Sequence, residues 1–217
     1  MRDWEQFLQY SPWFADPADV TVTDETAWSR GGVEGLPWLS ALLNSARLTT
    51  LSISGTPYEL LAWGPAESRR GWLCEPVAQP KPEVHQTHRL FWTVCGGIVE
   101  QFAGPRSWLL NQDDVLTATA AEQEIVANSL RDYGWLWKDE GLDVPIDPAD
   151  YYAVAIEANG NVTMVHRRSG ELLLFAPDHS FDKITPYPGC PKNSLYTFDE
   201  LPDLASWIEA CAEAWSD

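Results

Sequence analysis

No apolar run in this chain approaches the ~18 residues that a bilayer-spanning helix needs, so a soluble protein is expected. Basic residues are scarce. Lys and Arg number 14 against 32 Asp and Glu, a formal net charge of −18. That balance repels nucleic acid at long range and attracts basic protein surfaces. Cysteine is sparse as well: Cys74, Cys95, Cys190 and Cys211 form no C-x-x-C pair, which removes zinc knuckles and thioredoxin-type motifs. Reduced, buried thiols are the expectation. The N-terminus, Met1-Arg2-Asp3-Trp4-Glu5-Gln6, carries acids where a secretory signal has a basic region, and the cytoplasm is the expected compartment. No G-x-S-x-G elbow, Walker loop, dinucleotide fingerprint or H-E-x-x-H pair occurs, so the familiar enzyme classes lack their carriers.

What is abundant is tryptophan. Twelve are spread from Trp4 to Trp215, and most belong in a core, with a minority left for an interface. At 217 residues the chain fits one large domain or one and a half small ones, burying roughly 70% of its unfolded surface.

The best-marked local unit runs from Val84 to Phe102. Val84, His88, Phe91 and Cys95 recur at helical spacing, Gly96-Gly97 supplies a helix stop, and Ile98–Phe102 continues in β-prone residues. Before it, a short helix carries Trp4, Phe7 and Leu8, and residues 15–35 read as loop with a β-prone piece at Val20–Thr23. A helix from Leu36-Pro37 to about Ala46 follows, then a hairpin turning at Gly55-Thr56-Pro57 and a β segment from Gly71 to Val77. After it, one helix is expected over 120–133 and an irregular crossing over 139–150. Tyr152, Val154 and Ile156 alternate on one face of a strand, and Asn159-Gly160 signals a type I′ turn into Val162–His166. Leu172–Ala176 completes an antiparallel meander. The long loop 177–191 leads to a C-terminal helix through Leu204, Ile208, Cys211 and Trp215, capped by Asp199. The expected class is α+β with a mainly antiparallel sheet packed by helices. Residues 1–79 read as an N-terminal α+β region and 80–217 as the main domain.

Three constellations carry potential chemistry. His85-Gln86-Thr87-His88 sets two imidazoles one turn apart beside Glu83, the spacing of a metal pair, although His88 falls on the apolar stripe, where a hydrogen-bonded core histidine is expected. Asp178-His179 with Asp182 has the composition of half an acid–base site, and equally that of turn chemistry. Glu157-Ala158-Asn159-Gly160-Asn161 has calcium-loop composition without EF-hand spacing. No metal, cofactor or catalytic residue is assigned from these. The acidic pair in Asn111-Gln112-Asp113-Asp114 reads as a solvated loop.

The segments His88–Ile98, Tyr152–His179 and Tyr196-Thr197-Phe198 together resemble the SUKH superfamily of bacterial toxin-immunity proteins and yeast cell-wall-assembly regulators. The resemblance implies a curved sheet packed by helices and a non-enzymatic domain that binds another protein. With the charge, it implies an immunity protein that neutralises a basic toxin such as a nuclease. Asp113, Asp114, Asp178, His179 and Asp182 are the expected partner-binding residues. A regulatory or scaffold module with a cellular protein partner is the alternative, and a metal-dependent hydrolase using His85, His88 and His179 a more distant one.

Overall fold

The computed structural model describes residues 1–77, 83–105, 107–110, 113–178 and 181–216, with Trp108 as backbone only. It is an α+β protein with two antiparallel sheets of five strands each. Two compact units divide the chain: Met1–Gln79 with Leu90–Leu110 and Ile208–Asp217, and Pro80–Arg89 with Asn111–Trp207. One boundary between the units falls after residue 79, Leu90–Leu110 and Ile208–Asp217 join the first unit, and the segments that carry the SUKH resemblance fall in both units.

The first unit begins with α1 (Asp3–Tyr10), whose first turn is closed by the Arg2 N–H donating to Glu5 Oε2 at 2.9 Å. Strand β1 (Val20–Ala27) is longer than the expected Val20–Thr23, because β2 (Arg47–Ile53) offers an unpaired edge that, past a register shift between Val22 and Asp24, pairs even Asp24 and Glu25. Acids on an exposed edge strand also deter pairing with other chains. Between these strands lies α2 (Pro37–Asn44), with proline at its first position and Leu39, Leu42 and Leu43 buried. The N–H groups of Trp38 and Leu39, orphaned at its start, donate to the Glu209 carboxylate at 2.9 and 3.0 Å.

Strand β3 (Thr56–Trp63) returns from β2 across Ser54-Gly55, both at positive φ, and β4 (Arg70–Cys74) pairs with it. Helix α3 (Gln86–Phe91) is shorter than the apolar stripe suggested. Residues 92–94 unwind into turns, and β5 (Ile98–Phe102) pairs with β4. The glycine pair has two separate reasons. Gly97 sits at φ 124°, and Gly96 passes so close to the carbonyls of Glu75 and Pro76 that a Cβ would collide with both.

Period-two alternation buries both faces of this sheet. Leu60, Ala62 and Leu73 meet Phe7 and Phe102 on one side. On the other, Trp63, Trp72 and Trp215 pack edge-to-face with centroids 4.9–5.8 Å apart.

In the second unit the expected helix over 120–133 is two helices. Thr117 caps α4 (Ala118–Glu122) through its Oγ1, the chain extends at Gln123 (ψ 149°), and α5 (Ile125–Asp132) restarts with Val126 and Leu130 buried. A further helix, α6 (Trp135–Asp139), buries Trp137.

The meander is present as β6 (Tyr151–Ile156), β7 (Val162–His166) and β8 (Leu172–Phe175). It is extended by β9 (Ile184–Pro186) and β10 (Leu195–Phe198) into the order β6-β7-β8-β10-β9. Two details depart from expectation. A bulge between Ala153 and Ala155 breaks the alternation, so Ile156 packs with Tyr151 and Ala153 rather than sharing a face with Tyr152. At the tip, Gly160 N–H donates to Glu157 O at 2.9 Å and Gly160 alone has positive φ, so the turn is not type I′, which needs two such residues.

Helix α7 (Leu204–Ser216) starts later than expected. Asp199 is held in the β9–β10 region, its N–H on Lys183 O and its Oδ1 on the Thr185 hydroxyl. Asp203 is the cap instead: Ser206 N–H donates to Asp203 Oδ1 at 2.9 Å, and Asp203 N–H to Ser206 Oγ at 3.2 Å.

Candidate functional site

Residue chemistry in the second unit centres first on His88, which is fully buried. Its Nε2 lies 2.9 Å from Leu116 O, and its Nδ1 lies 3.2 Å from the Tyr152 hydroxyl. A carbonyl only accepts, so Nε2 carries the proton. The Tyr152 O–H donates to Nδ1 while accepting from the His85 N–H at 3.1 Å. Desolvation lowers the His88 pKa to about 4, partly offset by the Leu116 carbonyl. A neutral imidazole with both nitrogens engaged has no lone pair for a metal. His85 is occupied otherwise: Thr87 N–H donates to its Nδ1 at 3.3 Å, and its ring lies against Gly170. Among the described residues no group of three His, Cys, Asp or Glu is placed to hold a metal ion.

Burial raises the thiols of Cys74, Cys190 and Cys211, away from an activated nucleophile. In the first unit Cys74 is fully buried and hydrogen-bonded to Cys95, and burial pushes its thiol well above the usual range. Arg30 spans the Glu59 carboxylate at 2.7 and 2.5 Å, and also donates to Val94 O at 3.0 Å. This part-buried ion pair ties the loop after β1 to β3, and it holds structure rather than substrate.

The expected partner-binding acids are not all together. Asp113 bridges to Ile156, its N–H donating to Ile156 O at 2.6 Å and its carbonyl accepting at 3.0 Å. Leu116 N–H donates to Val154 O at 2.7 Å, so this segment lines the free edge of β6. The acidic pair is thus pinned by backbone pairing, with Asp113 exposed and Asp114 half-buried. Desolvation raises the pKa of Asp113 and Asp114, and the Asp113 charge adds to the rise at Asp114. Ile156 aligns through Val162 with Phe175, so Asp178, three residues past Phe175, leaves the sheet at the same end as Asp113. Asp182 precedes β9, whose Ile184 pairs with Phe198 at the far end of β10. The sheet thus separates Asp182 from Asp113 and Asp178. His179 lies outside the described residues.

Another surface of this unit went unmarked in the sequence. Asp132, Asp139, Glu140, Asp143, Asp147 and Asp150 are all exposed, and among them Trp135 (55% exposed), Tyr133 and Leu142 present apolar side chains. Tyr133 is held edge-on against Phe175, centroids 5.4 Å apart. The same region borders an open cavity of about 570 Å³ lined by Glu122–Glu124, Val126, Ala127, Asp147–Ala149, Tyr151 and Arg167. Its walls come from three segments far apart in sequence, so no spacing rule points to it. The tryptophans did carry a signal for an interface, without saying which.

No family model, curated protein or solved structure matches the chain.

Proposed function

We propose that this chain is an immunity protein: a non-enzymatic domain that binds and neutralises a basic bacterial toxin, such as a nuclease, in the cytoplasm. The observation that carries the reading is the exposed set of Trp135, Tyr133 and Leu142 among six exposed acids on residues 132–150. Exposed aromatic side chains in a stretch where six acids outweigh the single exposed Lys138 fit a basic protein surface: the ring supplies affinity once desolvated, and the excess of acids steers approach. The net charge of −18 acts in the same direction over longer range. The SUKH resemblance supports the same class of activity, and the engaged state of His88 and the protonated Cys74 thiol favour binding over catalysis.

The test is rescue. Co-expression with candidate basic toxins should protect cells, and capture from native lysate should recover one basic protein whose binding weakens as salt rises. Capture of an uncharged or acidic cellular protein, without protection against any toxin, would replace this reading with that of a regulatory module.

A further inference from the structure

The cavity in the second unit has a composition that selects its occupant. Its lining combines Val126, Ala127, Pro148, Ala149 and Tyr151 with the acidic residues Glu122, Glu124 and Asp147, against Arg167 as the one cation among its lining residues. Arg167 is already committed. Its Nε donates to Ala149 O at 3.1 Å, its Nη1 to Glu83 O at 2.9 Å, and its guanidinium lies 5.1 Å over the Tyr152 ring. Asp147 gives one oxygen to the Ala149 N–H at 3.0 Å, and its other oxygen makes no hydrogen bond among the described residues. Glu122 and Glu124 are exposed in a separate segment of the lining, at the break between α4 and α5.

Two features would attract an anion: the start of α5, which has no side-chain cap, and Arg167. Three carboxylates outweigh them, and Arg167 is held by carbonyls. A lysine would satisfy the charge but carries a compact, strongly hydrated head. A guanidinium is planar, more weakly hydrated, and has five donors to reach carboxylates on two sides while its stem lies on apolar wall.

We propose that this groove receives an arginine side chain from a basic loop of the protein partner. The proposal rests on the reading of the chain as a binder of a basic protein, and it adds the site and the residue type recognised there. The groove adjoins the stretch that carries Trp135, so arginine recognition and aromatic anchoring belong to one unit's surface.

The full chain should be titrated with acetyl-triarginine amide while amide resonances are followed at low and at moderate salt. Saturable shifts are expected at Val126, Ala127, Ala149 and Tyr151. Glu124→Lys should weaken the apparent affinity about tenfold, a change of ~1.4 kcal/mol. Asp147→Asn, which retains the oxygen that accepts from Ala149, should weaken it severalfold, and Glu34→Lys, the same charge change on the exposed surface of the first unit, should leave it unchanged. Unaltered resonances elsewhere show that each variant is folded. Shifts that map to other acids, or that survive Glu124→Lys, would overturn the groove while leaving the basic-partner reading intact. The same shifts produced by acetyl-triglutamate would assign an anion site instead. A captured basic partner that binds Glu124→Lys as tightly as the parent would also overturn the groove alone, whereas capture of no basic partner would overturn the reading beneath it.

Discussion

His88 is held neutral between a carbonyl and a tyrosine hydroxyl, and this makes stability depend on pH in a defined direction. Its folded pKa, about 4, lies below the ordinary value of 6.5. The unfolded chain therefore takes up a proton first as pH falls. The stabilisation is complete above about 6.5 and is lost progressively down to about 4, by on the order of 3 kcal/mol. Urea unfolding across that window should show His88→Gln losing less stability than the parent; equal slopes would refute the assignment. Asp114 behaves oppositely. Burial and Asp113 raise its pKa, so the ionised form costs stability at neutral pH, and the cost disappears as pH falls below the folded pKa. Asn tolerates the left-handed backbone that Asp114 adopts at φ 49°. Asp114→Asn should raise stability at pH 7 by ~0.5 kcal/mol or less, with no gain at low pH.

At the scale of elements, the approach of the Cys95–Ile98 turn to the end of β4 limits what the chain accepts. A methyl at Gly96 meets two backbone carbonyls that cannot rotate away. Gly96→Ala should cost roughly 2–4 kcal/mol in denaturant unfolding. Gly160→Ala faces open space and only a positive φ of 90°, and should cost ~1 kcal/mol. Elements with strong local signals were legible: the glycine pair, the β6–β8 meander and the apolar stripe of α7 follow from period and turn chemistry. Others were not. Strand β1 is rich in Asp, Glu and Thr and becomes a strand because β2 has backbone groups to pair. The first residue of α7 was decided by where β9–β10 pairing leaves Asp199. The bulge in β6 moved Ile156 across the sheet, and alternation alone carries no mark of it.

For the whole molecule, the proposed binding role assigns affinity to exposed aromatic surface and the rate of approach to acidity. Trp135 is 55% exposed, so Trp135→Ala should leave thermal stability nearly unchanged and cost 2 kcal/mol or more of partner affinity, about thirtyfold in Kd by calorimetry. Reversing Asp139, Glu140 and Asp143 to Lys should instead slow association about tenfold at low salt, with the difference vanishing at high salt. The sequence by itself determined the α+β class, the acidic charge and the elements whose signals lie within a dozen residues, because propensity, period and turn geometry act locally. Tertiary structure alone decided that Ile98–Phe102 joins β4, that the Asp113 backbone pairs with the edge of β6, and that residues near 122, 147 and 167 enclose one groove. Those outcomes depend on register between distant segments and on desolvation, and neither is written in any local pattern.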